Sequence, residues 1–278
     1  MTDHSFLPLD NKRIMVTRPA HQAGHLLALL ESAGASTFCQ PLIDIVPLET
    51  AHYQNEINPD EIKQNAIKLI KALPDTDIVI FISQNAIAHG LELISQNGQL
   101  PSSVKLATVG AGSAKLLEEL TQRSVDITPA KQFNSEGLLE HPDLQHIQGK
   151  RITIFRGIGG RSLLADTLRQ RGAKVEYAEV YQRQAPKIDL SELEKKWQQQ
   201  PADAICITSG EGLQNLIDKL NEASTSSTFR STICNSQLVI VNERLQKQIS
   251  DFGFTKKPII TDNVSDKAIV DAIIRTLT

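Results

Sequence analysis

Cysteine is scarce and oddly counted. The chain has three, Cys39, Cys206 and Cys234, far apart and in no metal-ligand spacing. That excludes a disulfide framework and a structural zinc site, and fits reduced thiols in a cytoplasmic protein. Cys206 lies inside an apolar run and reads as core packing. No excess of either charge is present: the net charge of -3 over 278 residues gives no basic surface for nucleic acid. No apolar run reaches the length of a membrane span, and the opening MTDHSFLPLDNKR has no signal-peptide core. What remains is a chain 40% hydrophobic and 22% charged, long enough for two domains with their own cores.

The most informative stretch is Gly149 to Pro186. Arg151–Phe155 is a short apolar strand. Arg156-Gly157-Ile158-Gly159-Gly160-Arg161 is a glycine-rich turn with an arginine at each end. A helix follows over Ser162–Arg171, with Leu163, Leu164, Ala165 and Leu168 inward, and Gly172 stops it. Val175–Arg183 is again extended. A turn at the carboxyl end of a strand, opening a helix, offers free N–H groups and a positive dipole end. With Arg156 and Arg161 beside it, this turn is the first candidate site for an anionic ligand.

The rest of the chain alternates in the same way. Strands are expected at 12–18, 77–82, 105–109, 125–128, 204–207, 237–241 and 258–261. Helices are expected at 21–33, 61–73, 86–94, after Ser113 through Leu120, from Ser135, at 191–199 and 211–220, opening at Asn242-Glu243-Arg244, and at 265–277. Residues 50–60 and 221–227 read as polar loops. Ser36–Val46 is extended but contains Pro41, with Pro47 just beyond. Proline removes ladder donors, so this is an edge strand or a linker. Alternating strands and helices make this an α/β protein with parallel sheets covered on both faces.

The chain also repeats itself. Lys12-Arg13-Ile14 and Arg18 recur as Lys150-Arg151-Ile152 and Arg156. Leu26, Leu30, Gly34 and Ala35 recur as Leu164, Leu168, Gly172 and Ala173 at the same spacing. Asp77 and Ser83 correspond to Asp203 and Ser209. Two similar domains follow. They divide either near residue 149 or through a bridge formed by the two proline-bearing extended stretches, and the residues alone leave both open.

Taken in order, Ile14-Met15-Val16-Thr17-Arg18-Pro19, Pro41-Leu42-Ile43, Phe81-Ile82-Ser83, Arg156 to Arg161, Val180-Tyr181-Gln182-Arg183, Thr208-Ser209-Gly210 and Val241-Asn242-Glu243-Arg244-Leu245 make the sequence resemble the uroporphyrinogen-III synthase family over nearly its whole length. The resemblance implies two flavodoxin-like domains joined by a two-stranded antiparallel bridge, with the active site in the inter-domain cleft. On that plan residues 1–39 and 184–278 form one domain, 48–174 the other, and 40–47 with 175–183 the bridge. It implies cyclisation of hydroxymethylbilane, a linear tetrapyrrole with eight carboxylates, without cofactor or metal; the protein is expected to be a cytoplasmic monomer.

Such a substrate calls for carboxylate donors at strand ends, where open α/β sheets bind ligands. Those ends carry Arg18, Ser83, Gly110, Ser113, Arg156, Gly157, Gly159, Arg161, Ser209, Gly210 and Asn242. Ser83 and Ser209 are helix N-cap candidates as well. Asn242 departs from the glycine of the corresponding Gly110 turn. Tyr181 matches the family's tyrosine beside the leaving hydroxyl, where a phenol can act as a weak general acid. Side-chain alternation puts Val180 and Tyr181 on opposite faces of their strand.

Bland readings stand beside these: surface arginines, capping serines, an ordinary bridge aromatic at Tyr181. His21 and His25 have helical metal spacing but no third ligand in reach of the sequence. Gly157-x-Gly159 partly matches a dinucleotide fingerprint, with Ser162 at its third glycine and Glu176 or Glu179 as ribose acid. A two-lobed solute- or nucleotide-binding protein is the alternative.

Overall fold

The computed structural model describes residues 7–50, 58–222 and 224–278. The polar stretch expected at 50–60 lies largely outside these residues, as does part of that at 221–227. In chain order the strands are β1 (Arg13–Val16), β2 (Ser36–Cys39), β3 (Asp44–Pro47), β4 (Ile78–Phe81), β5 (Lys105–Thr108), β6 (Arg151–Gly157), β7 (Lys174–Gln184), β8 (Ala204–Ile207), β9 (Gln237–Ile240) and β10 (Ile259–Ile260). They form two sheets, in two compact units: Met1–Asp44 with Ala185–Thr278, and Ile45–Gln184.

The first unit's sheet runs β10-β9-β8-β1-β2 with every pairing parallel. Its second strand in sequence lies outside its first, and the later strands build the other way. The order therefore reverses between β1 and β8, the position where α/β sheets open a ligand crevice at their carboxyl ends. Met15, Ile205 and Ile207 pack into one core, and Ile14, Val16 and Cys206 into the core on the other face. Two covered faces explain why these strands are apolar throughout rather than alternating. Burial pushes the Cys206 thiol up to about 12, so it is an inert core group, as its place in the sequence implied.

The second unit's sheet runs β3-β7-β6-β4-β5, with β7, β6, β4 and β5 parallel. Here the reversal lies between β6 and β4. Val79, Phe81 and Phe155 face one core; Ile78, Ile80, Ile152 and Ile154 face the other. The strand expected at 125–128 is a single parallel bridge from Ile127 to Ala107. The extended stretch from Ser36 splits at Pro41: β2 is an edge of the first sheet and β3 an edge of the second. Of the two proline-bearing stretches expected to pair, β3 and β7 are neighbours, and both count as strands of the second sheet.

The repeat is visible in the hydrogen bonds. Asp203 Oδ2 accepts the Arg13 N–H at 2.8 Å, and Asp77 Oδ2 accepts the Arg151 N–H at 2.8 Å. Each aspartate seats the first residue of the strand beside it. Gly34 and Gly172 end equivalent helices at φ of 100° and 85°, a region that disfavours other residues.

The Lys150 ammonium, 2.8 Å away, and the Arg151 N–H hold the Asp77 carboxyl below its ordinary value. A lowered folded value means that its contribution to stability is present above about pH 3.9 and is lost as pH falls through the folded value. Asp77→Asn is therefore expected to flatten the acid limb of the stability curve below about pH 4. Urea melts across that range check this, and an unchanged acid limb would count against it.

Candidate active site

In the second unit the carboxyl end of β6 delivers Arg156 and Gly157 to the reversal point. Arg156 is only 5% exposed. Its Nε donates to the Gly157 carbonyl at 3.1 Å, and Nη1 lies 3.5 Å from the Arg161 carbonyl. The guanidinium sits 4.5 Å over the Tyr177 ring. Its protein partners are thus neutral carbonyls and an aromatic face, with no carboxylate in ion-pair range among the described residues. A buried cation of this kind is costly until an anion joins it.

The turn beyond is built on two glycines. Gly159 and Gly160 have φ of 76° and 91°, and a Cβ on Gly160 would stand 2.6 Å from Arg156 Nη2. The N–H of Gly159 donates to Glu179 Oε1 at 3.2 Å. Glu179, weighed from sequence as a ribose acid, instead belongs to the turn. Arg161 is exposed and lies against Glu136, with Nη1 to Oε1 at 2.7 Å. The turn arginines therefore differ: Arg156 shapes the turn from within, and Arg161 is held by a carboxylate at its rim.

Tyr181 enters from β7, where the strand pairing is irregular. The register pairs Arg156 with Glu179 but Gly157 with Tyr181, a bulge that makes Val180 an extra residue. Alternation fails there, and Val180 and Tyr181, 5% and 4% exposed, share one core cluster instead of facing opposite ways. The Tyr181 ring lies on Gly157 and stacks with His89 at 5.6 Å between centroids. Its hydroxyl is 3.3 Å from Ser83 Oγ.

Ser83 follows β4 and caps the helix Gln84–Asn97 by accepting the Ala86 N–H at 3.1 Å. The capping role read from the sequence is thus met, and the same Oγ lies beside the tyrosine hydroxyl. Gly110 is the N-cap of the helix Ala111–Thr121, which contains Ser113, a buried residue. Gln84 Nε2 donates to the Gly112 carbonyl at 3.3 Å and ties that turn to the one after β4. Gly157 has no room for a methyl: a Cβ would lie 2.6 Å from Tyr181 Cε2 and 2.7 Å from Cζ. Gly157→Ala is expected to displace the ring and to cost about 1–3 kcal/mol. Denaturant melts test this, and an unmoved midpoint would show that the strand absorbs the methyl.

The first unit presents a second set of strand-end groups. Thr17 Oγ1 donates to the Cys206 carbonyl at 2.6 Å and locks β1 to β8 at the reversal point. Arg18 follows, with Nη1 on Asp266 Oδ1. Ser209 caps the helix Gly210–Asn221 through the Gly212 N–H at 3.0 Å. Gly210 opens that helix under Leu245 Cδ2, 3.3 Å from where its Cβ would be. Asn242 is exposed; its Oδ1 accepts the Arg244 N–H at 3.0 Å, an Asx turn that leaves the carboxamide NH2 as its donor. His25 donates its ring to Asp266 Oδ2 at 2.6 Å rather than pairing with His21. Among the described residues no cluster of metal-ligating side chains forms.

Several partners were invisible in the sequence: Tyr177 under Arg156, His89 on Tyr181, and Asp266 on Arg18. Only Asp266 left a trace there, as an acidic residue just after the helix-capping Ser265.

Comparison with known proteins completes the picture. The family model described as uroporphyrinogen-III synthase HemD matches residues 24–261. The uroporphyrinogen-III synthases of Escherichia coli K12 and Salmonella typhimurium are each 32% identical to this chain, over 95% of it and 99% of theirs. Among solved structures, a mutant uroporphyrinogen III synthase of Thermus thermophilus superposes with a TM-score of 0.58 at 16% identity, covering 96% of this chain and 98% of its own. The Helicobacter pylori enzyme gives 0.57 at 14%, covering 95% and 99%. At those identities the structures speak for the fold, and the sequence matches speak for the family. The chain belongs to the uroporphyrinogen-III synthase family, lyases of tetrapyrrole biosynthesis.

Proposed function

We propose that this enzyme closes hydroxymethylbilane to uroporphyrinogen III by holding the substrate's carboxylates on strand-end donors while its own chemistry runs. The match over 95% of the chain carries the activity. The buried, carboxylate-free Arg156 supports the mode of recognition.

Hydroxide leaves the hydroxymethyl carbon and departs as water with a pyrrole N–H proton, giving an azafulvene. The substituted α-carbon of ring D bonds that methylene and forms a spiro-pyrrolenine. The bond to the neighbouring methylene breaks and re-forms at the other α-carbon, inverting ring D. A proton lost there and one regained at nitrogen restore the pyrroles, so the net change is loss of water. None of these steps needs a strong acid. They need one folded conformation of a flexible chain, which favours the inverted product over the spontaneous one.

Arg156 and the Gly159–Gly160 turn are the first candidates to receive a carboxylate, a charge-assisted contact. Gly157, Ser83, Gly110, Ser113 and Arg161 complete the second unit's set, and Arg18, Ser209, Gly210 and Asn242 supply the first unit's. Tyr181 donates its O–H toward the departing hydroxyl, with Ser83 Oγ as the hydroxyl's protein neighbour. The same reading takes the enzyme to be a cofactor-independent cytoplasmic monomer. No helix among the described residues is long and apolar enough to cross a membrane. Supplying purified protein with hydroxymethylbilane generated in situ, and separating the product isomers, tests the proposal.

A further inference from the structure

Arg18 is not held by its own strand end alone. It is 16% exposed, and its one side-chain partner among the described residues is Asp266, itself 15% exposed, at the first residue of the helix Asp266–Leu277. Only Nη1 is used in that contact. Among the described residues Nε and Nη2 meet no acceptor, so one edge of the guanidinium stays open. The other oxygen of Asp266 is taken by His25 Nδ1 at 2.6 Å, from the helix Ala20–Ser32. The carboxylate is thereby pinned from two sides: by a histidine on the helix after β1, and by its place in the first turn of its own helix, where a negative charge is favoured.

We infer that Asp266 is a positioning residue for substrate recognition: it fixes the guanidinium of Arg18 by one nitrogen so that the open edge can take a substrate carboxylate side-on. The inference rests on the reading of Arg18 as a substrate contact. A long arginine free in solvent would lose rotamer freedom on binding, and a pre-oriented one has already lost it. Asp266 touches no reacting atom in this scheme and acts only through Arg18.

A double-mutant cycle tests this, with wild type, Arg18→Ala, Asp266→Ala and the double variant compared for KM and kcat with hydroxymethylbilane. Asp266→Ala should raise KM roughly threefold to tenfold, with kcat nearly constant. In the Arg18→Ala background the same change should leave KM unmoved, because the residue it orients is gone. Asp266→Asn keeps an oxygen for Arg18 without the charge and should fall between, which covers the case in which the alanine variant melts too low to assay. An Asp266→Ala effect that persists without Arg18 would overturn the inference and make Asp266 a structural residue. A lowered KM would overturn it too, by making Asp266 a competitor of the substrate. Wild-type turnover to type III product with an Arg18→Ala variant of unchanged KM would sink the inference alone. A wild type that gives only type I product would sink the function it rests on.

Discussion

Arg156→Met is expected to cost the enzyme its substrate without costing it its fold. The side chain is buried against Tyr177 and bonded only to backbone carbonyls. Methionine fills much of that volume and removes the charge. If the guanidinium binds a substrate carboxylate, the loss is one charge-assisted contact, about 1.5–3 kcal/mol, or roughly ten- to a hundredfold in kcat/KM. Stability should move the other way or not at all. A buried charge without a carboxylate partner opposes folding, and replacing such groups with apolar ones is often neutral or favourable. Arg156→Lys keeps the charge but loses the planar fork and the stacking, so it should recover only part of the affinity. Steady-state kinetics and melting curves for both variants decide the matter. Unchanged KM with a normal melt would make Arg156 a brace for the turn and nothing more.

Tyr181→Phe should slow turnover by about ten- to a hundredfold and leave the melt nearly unchanged. The ring packs on Gly157 and His89 with 4% of the residue exposed, and phenylalanine keeps that packing. What goes is the hydroxyl beside Ser83 Oγ, in a contact of 3.3 Å. The loss is bounded because azafulvene formation also proceeds unaided. Its location in kcat rather than KM is the informative part, since a group that acts on the leaving hydroxyl is felt in the transition state. Full activity in the phenylalanine variant would remove the phenol from the chemistry and leave it to backbone donors and substrate folding.

Much of this architecture could be read in the sequence because its signals are local and doubled. Most strands fell where an apolar run met a turn, and the serines at 83 and 209 cap the helices they precede. The corresponding aspartates, Asp77 and Asp203, make the same hydrogen bond in each unit. The misses have physical causes. The helix Ser227–Cys234 is built largely from serine and threonine, weak helix formers, and exists because it buries Phe229, Ile233 and Cys234. Residues 125–128 look like a strand but sit at an edge that pairs only through Ile127. The alternation rule failed at Tyr181 because a bulge adds one residue to β7, and nothing in Val180-Tyr181 announces it.

The candidate site was legible in its backbone and opaque in its partners. Strand-end position is a matter of topology, so Arg18, Arg156 and the glycine turn could be named from the order of elements. Whether an arginine is buried, open or already paired depends on residues far away in the chain. Asp266 is 248 positions from Arg18, and no local pattern links them.

The measurement that bears most directly on the whole account is the isomer ratio of the cyclised product. Purified protein, stripped of metals and nucleotides, is given hydroxymethylbilane generated in situ, and the oxidised products are separated into types I and III. Type III is expected to dominate at enzyme levels where the protein-free control gives type I. Product that stays entirely type I, from protein that is folded by its melting curve, would contradict it.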